Sequence, residues 1–145
     1  MTANDLRPKV HQWLSEMFKG VEQRDSGVLF VPGFGSTALF VSVEDVFRDQ
    51  HVLVRVDAPI LLDVPVTNEL LQYMGMKSND FVFGSFTLLL DSDAARTGIL
   101  AFRQTLLGDA LDKVELEVAT TIVALTADEL DDNLQRRFGG QRYYD

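Results

Sequence analysis

A chain of 145 residues, 46% hydrophobic and 24% charged, has the composition of a single globular domain, residues 1–145, with a full core. It contains no cysteine, which excludes disulfides, thiolate metal sites and thiol chemistry. A formal net charge of −9 disfavours nucleic acid and anionic membrane surfaces, both of which select for Lys and Arg.

The first residues, MTANDLRPKVHQW, carry no basic-then-apolar signal pattern. No apolar run approaches the ~18 residues of a membrane span, so a cytoplasmic protein is expected. Val10, Trp13, Leu14, Met17 and Phe18 recur at helical spacing. They predict a helix over residues 4–19, capped by Asn4 or Asp5, with Pro8 near its first turn and Gly20 as its stop. The stripe reads as core or as an oligomer contact. Beyond a polar break, VLFVPGFGSTALFVSV predicts strands over 28–31 and 37–43 around a turn at 32–36. Gly33-Phe34-Gly35-Ser36 is no phosphate loop: no Lys follows at the required spacing, and a strand follows where a helix is needed. After a polar connector over 44–50, Val52, Val54 and Val56 share one face of a third strand, and Leu53, Arg55 and Asp57 the other. Pro59 and Pro65 bracket an irregular segment, because neither donates a backbone hydrogen bond.

Thr67 caps a short helix over 68–76, with Leu70, Leu71 and Met74 available for burial. The methionines beside Tyr73 read as core fillers or as an adaptable contact surface. The stretch 81–107 then reads as two antiparallel strands at the centre of the sheet, joined by a polar loop over 91–98. Phe81 and Phe83 alternate out of phase with Phe86, Leu88 and Leu90, which predicts a bulge at Gly84-Ser85. In the second strand Leu100, Phe102, Gln104 and Leu106 share one face, and Ile99, Ala101, Arg103 and Thr105 the other. A last helix is predicted over 113–138, capped by Asp112 with Glu115 and open to a break at Thr126. Its buried side takes Val118, Ala119, Ile122, Val123, Leu125, Thr126, Leu130, Leu134 and Phe138, and Gly139-Gly140 stops it. The run Asp128, Glu129, Asp131 and Asp132 does not converge as metal ligands would and reads as a solvated face. The closing QRYYD reads as a frayed end.

The predicted order is helix-strand-strand-strand-helix-strand-strand-helix: an α+β fold whose antiparallel sheet is packed by helices. Three helices cover one face of a five-stranded sheet but not both. The uncovered face carries Phe40, Leu53, Ile99, Ala101 and Arg103, so a partner is expected there, either a second subunit or an extended peptide. His11 and His51 lack a nucleophile to activate, and Asp63, Asp80, Asp91, Asp93 and Asp109 sit at strand ends and turns, where local backbone bonding explains them. No catalytic residue, metal or cofactor is expected. The alternative is a small-ligand or regulatory module with a pocket between the sheet and the first helix.

The stretches VLVRVDAPILLDVP at 52–65, TNELL at 67–71, FVFGSFTLLL at 81–90, TLLGDAL at 105–111 and LTADELDDNL at 125–134 together resemble the YbjN-like proteins and the type III secretion chaperones, the CesT-like fold. The resemblance spans nearly the whole chain and is weakest before residue 28. It implies a small acidic α+β protein, commonly a homodimer, that binds peptide segments of client proteins and has no catalytic residues.

Overall fold

The computed structural model describes residues 1–145. Helix α1 (Ala3–Met17) starts one residue earlier than its stripe suggests, because Thr2 forms a reciprocal capping box with Asp5. It buries Ala3, Leu6, Val10 and Leu14, leaving Trp13, Met17 and Phe18 half-buried against the core. Six strands follow: β1 (Glu22–Gln23), β2 (Leu29–Phe34), β3 (Thr37–Val46), β4 (His51–Pro65), β5 (Ser85–Leu89) and β6 (Thr97–Leu107). Helix α2 (Asn68–Lys77) lies between β4 and β5, and α3 (Lys113–Phe138) follows β6. The sheet is antiparallel throughout, in the order β1-β2-β3-β4-β6-β5.

Four sequence expectations are corrected here. The sheet has a sixth strand, β1, whose two polar residues are too few to show a period. The hairpin β5–β6 flanks the sheet, with β5 at an edge, and the centre is β3 and β4. No bulge occurs at Gly84-Ser85; Phe81 and Phe83 simply precede the strand. Gly84 enters it at φ +87°, where an added Cβ would collide with the Phe102 ring. Lastly, β4 continues past Pro59 and ends at Pro65, so the irregular segment the two prolines bracket is part of the strand. Its register shifts instead between Pro59 and Leu61 and between Leu61 and Val64, and bulges are where a sheet tolerates proline. The Thr37 hydroxyl donates to the Pro59 carbonyl at 2.6 Å, stitching this irregular stretch to the start of β3.

The main core lies on one side of the sheet. Val31, Leu39, Val41, Val54, Val56, Leu100 and Phe102 point from the strands towards Val10 and Leu14 of α1 and Leu116 and Val123 of α3. Helix α3 is one unbroken run of 26 residues, with the Asp112 carboxylate accepting from Glu115 N at 2.8 Å at its start. Thr126 marks no break. Its buried stripe is Leu116, Ala119, Thr120, Val123, Ala124, Ala127, Asp131 and Leu134, while Val118 and Leu125, expected inside, are exposed. Small residues decide the phase: three alanines let the long helix lie close to the sheet, where the bulkier stripe would hold it away. In α2 only Leu70 is buried; Leu71 is exposed and Tyr73 packs its ring against Phe86 and Phe138.

His51 and Asp109 fasten the start of β4 to the turn that leads into α3. Asp109 accepts from Val52 N at 2.8 Å and lies 2.7 Å from His51 Nδ1. The expected local backbone bond is thus a long-range one. The His51 bond first, and the Val52 N–H second, hold the Asp109 carboxyl below its ordinary range.

Candidate functional site

The face away from the helices can be read across the sheet from its register. One row runs Glu22, Phe30, Phe40, Asp57, Arg103, Ser85 through all six strands. To one side lie Pro59, Ala101 and Thr87, then Ile99 and Leu89. To the other lie Ser42, Arg55 and Thr105, then Glu44, Leu53 and Leu107. The central row contains a bidentate ion pair: Arg103 donates from Nε to Asp57 Oδ1 at 2.5 Å and from Nη2 to Oδ2 at 3.1 Å. This pair divides the face into two regions of different character.

On the far side, charge continues with Arg55–Glu44 at 3.0 Å. On the near side the surface is apolar and concave. A cavity of about 280 Å³ is walled by Val28, Phe40, Ser42, Asp57, Pro59, Leu62, Leu89, Ile99, Ala101 and Tyr143. That is at the small end of the roughly 300–1,000 Å³ of sites that enclose a small-molecule ligand, and it suits one or two apolar side chains. Phe30, Ala38 and Ala101 are buried, at 8%, 0% and 1% exposure, yet they stand outside the main core cluster. They floor a second, smaller apolar cluster on the face that no helix covers.

The roof of that cluster is the end of the sequence. The expectation of a frayed end is overturned: Gln141 forms a β-bridge with Leu62, N to O at 2.8 Å and O to N at 2.6 Å, and Tyr144 N donates to Ser36 O at 2.9 Å. Tyr143 then stacks edge-on against Phe40 at 5.8 Å and lies tilted to Phe30 at 6.4 Å. Arg24 caps the same Phe30 ring at 4.3 Å. Leu62 is open to this bridge because β3 starts at Thr37, leaving the last residues of β4 without a neighbour on that edge.

The acidic run of α3 is not a uniformly solvated face either. Asp131 is 2% exposed, and its Oδ2 meets Ser36 Oγ. Asp128 Oδ1 accepts from both Ser36 N and Ser36 Oγ at 2.9 Å. Burial, opposed by the Ser36 bond and reinforced by Asp132 and Asp128, raises the Asp131 pKa. Gly35, at φ +59°, is needed for this approach, since a Cβ there would collide with Asp128 Oδ1.

Of the residues expected to receive a partner, the fold gathers Phe40, Ile99 and Ala101 around one cavity. Arg103 stands at its border, already paired with Asp57. Leu53 lies four residues along β4 from Asp57, roughly 13 Å away at strand rise, beyond the charged row. Phe30, Pro59, Leu62, Leu89 and Tyr143 were not foreseen. Alternation across the β2–β3 hairpin carries a signal for Phe30; nothing local marks Leu62 or Tyr143. The hollow that touches α1 is lined by Pro8, His11, Gln12, Ser15 and Gln23, on the outer side of the helix rather than beneath it. A larger hollow, about 420 Å³, lies between α2 and the end of α3 among Glu69, Gln72, Tyr73, Met76, Lys77, Asp80 and Arg137; its walls are mixed, charged and apolar. No three His, Asp or Glu side chains are grouped to hold a metal ion, and no helix is long and apolar enough to cross a membrane.

An antiparallel sheet with helices on one face and an apolar hollow on the other is the arrangement to compare with known proteins. Residues 4–145 match the TY-Chap1 family, described as the type III secretion system (YopN, CesT) and YbjN peptide-binding chaperone 1. The chain belongs to the TY-Chap1 family. The fold agrees. The crystal structure of YbjN from E. coli superposes with a TM-score of 0.59 at 13% identity, covering 88% of this chain and 92% of YbjN. A chain of the HopA1-SchA chaperone-effector complex superposes at 0.56 and 12% identity, covering 91% and 98%. No curated protein matches. The TY-Chap1 match covers the sequence stretches on which the resemblance was based, and the α+β architecture is that of these chaperone-like neighbours.

Proposed function

We propose that this TY-Chap1 chain is a non-catalytic chaperone or adaptor that holds an extended segment of a client protein on the open face of its sheet. The observation that carries the reading is the apolar cavity between Phe40, Ile99 and Ala101, on the one face without helices. Family membership and the neighbouring chaperone-effector complex support it. Backbone affinity would come from strand addition and specificity from side chains entering the cavity, the usual division in such recognition. The chemistry fits: an aromatic or branched side chain desolvates against Phe40 and Ile99, while the Asp57–Arg103 pair sets a polar limit to the groove.

The test is a displayed random-peptide library selected on the immobilised chain, followed by titration of the selected peptides. Phe40→Ala and Ile99→Asp should each weaken those peptides by about tenfold or more, the 1–3 kcal/mol of a lost apolar contact. Unchanged affinity in both folded variants, or a library that yields no binder, would sink the reading.

A homodimer is also proposed. Val114, Val118 and Leu125 form an exposed apolar stripe along the outer side of α3, at 67%, 47% and 57% exposure, with Ile122 beside them. Such a stripe at helical spacing suits packing against a second copy. Leu125→Glu should convert a dimer to a monomer in light scattering; a monomeric parent chain discards the idea.

A further inference from the structure

We infer that residues 141–145 are a built-in occupant of the peptide site, which a client must displace. The inference rests on the peptide-binding reading above and adds to it the chemistry of the client. Three observations converge. The Gln141–Leu62 bridge is strand addition in miniature, made at the one stretch of β4 that β3 leaves open. Tyr143, two residues on, is the aromatic side chain that sits in the cavity wall against Phe30 and Phe40. Arg142 between them ion-pairs with Asp132 at 2.6 Å, on the acidic end of α3.

The segment is fastened lightly. Its sequence-distant backbone bonds are the two to Leu62 and one to Ser36. Its ion pairs, from Arg142 to Asp132 and Asp145, are largely exposed and contribute little. It is joined to α3 through Gly139 and Gly140, both at positive φ of +85° and +81°, a conformation that glycine enters without cost. Gly140 also has to pass close to β4: a Cβ would meet Leu62 O at 2.7 Å. A segment held by few bonds behind a two-glycine joint opens at low free energy.

The occupant therefore describes the client. It is a polypeptide that bridges Leu62, carries an aromatic residue two positions further on, and places a cation between them. It competes with a tethered copy of the same pattern. If that copy is seated nine times in ten, removing it strengthens client binding about tenfold.

The test uses a labelled synthetic peptide copying residues 140–145, GQRYYD, and its Tyr143→Ser counterpart. Each is titrated into the unaltered chain, into a chain ending at Gly140, and into full-length Tyr143→Ser, which removes the aromatic anchor so that the segment is seated less often. The copied peptide should bind both altered chains at least about tenfold more tightly than the unaltered chain, and the serine peptide should bind none. Equal affinity for all three chains, or no binding to either altered chain at an unchanged unfolding midpoint, overturns the inference. Hydrogen exchange in the unaltered chain needs no variant. A library-selected peptide should speed exchange at Gln141 and Tyr144; undiminished protection beside tight binding defeats the displaced-occupant idea while leaving the peptide-binding reading in place. A library without binders defeats that reading, and the copied-peptide titration still decides this one.

Discussion

The two faces of this one sheet are built from the same strands by the same alternation, yet they differ in what covers them. On one, α1 and α3 bury Phe102, Leu100, Val41, Val54 and Val56 completely. On the other, a five-residue segment and Arg24 stand over Phe30 and Phe40, and the rest of the apolar surface is open. Both sides carry aromatic residues; only one side is closed with secondary structure. The covered face is apolar throughout and closed by helices, whereas the open face mixes an apolar hollow with ion pairs and carries only a light cover.

The sharpest test of that difference substitutes one phenylalanine on each side. Phe102→Ala removes a fully buried ring packed against Phe81 and Phe86 at 4.9 and 5.9 Å, and should cost about 3–5 kcal/mol in urea unfolding. Phe40→Ala on the half-covered face should cost less than about half of that, while peptide affinity falls. Comparable losses of stability at the two positions would break the comparison.

The turn between β2 and β3 comes next in size, because it joins the open face to α3. Gly35→Ala forces an L-residue into φ +59° and a Cβ onto the Asp128 carboxylate. The left-handed backbone alone costs about 1–2 kcal/mol. With the contact added, a total of about 2 kcal/mol or more is expected from thermal unfolding. Gly33→Ala is a useful control: its φ is +78° but nothing lies within 4 Å, so the difference between the two isolates the contact with Asp128.

Much of this architecture is legible in the sequence, for physical reasons that also explain the misses. Alternation in Val52–Val56 and in Ile99–Leu106 places every side chain on its observed face, since period two needs only neighbours. Asp112 and Thr67 mark helix starts because capping is local. What escapes is whatever depends on a distant partner. The phase of α3 follows from how closely its alanines approach the sheet. Asp131 is inside because Ser36, 95 residues earlier in the chain, meets it there. The order of 141–145 depends on the unpaired edge of β4. Likewise the cavity was legible as far as Phe40, Ile99 and Ala101, and its roof was not.

Asp131 makes a prediction in which sign matters more than size. Its folded pKa is raised by burial, so its contribution to stability is complete below the ordinary carboxylate range and is lost as pH rises through the raised folded value. Asp109 acts in the opposite sense: its folded pKa is lowered, so its contribution is present above the ordinary range and is lost as pH falls through the lowered value. Asp131→Asn should therefore gain relative to the parent chain as pH rises above the carboxylate range. Asp109→Asn should lose relative to it at neutral pH and approach it in acid. Chemical denaturation from acid to neutral pH reads both. Parallel pH profiles for Asp131→Asn and the parent would show that burial does not raise the Asp131 pKa.

The smallest effect is expected at the border of the groove. Asp57 and Arg103 are partly buried, at 14% and 25% side-chain exposure, and their two hydrogen bonds lie on the open face without a helix above. For a pair so placed the desolvation of the two charges offsets most of their attraction, so replacing both partners together changes stability little. Neutralising both partners at once, Asp57→Asn together with Arg103→Gln, should leave unfolding nearly unchanged. Its effect belongs to recognition. With the charged limit removed, the apolar hollow runs on from Ser42 towards Thr105, and peptides carrying an extra apolar residue in that direction should gain affinity over the original binders. If stability falls by several kcal/mol instead, the pair is part of the core, and the line that separates the two halves of the open face is structural rather than selective.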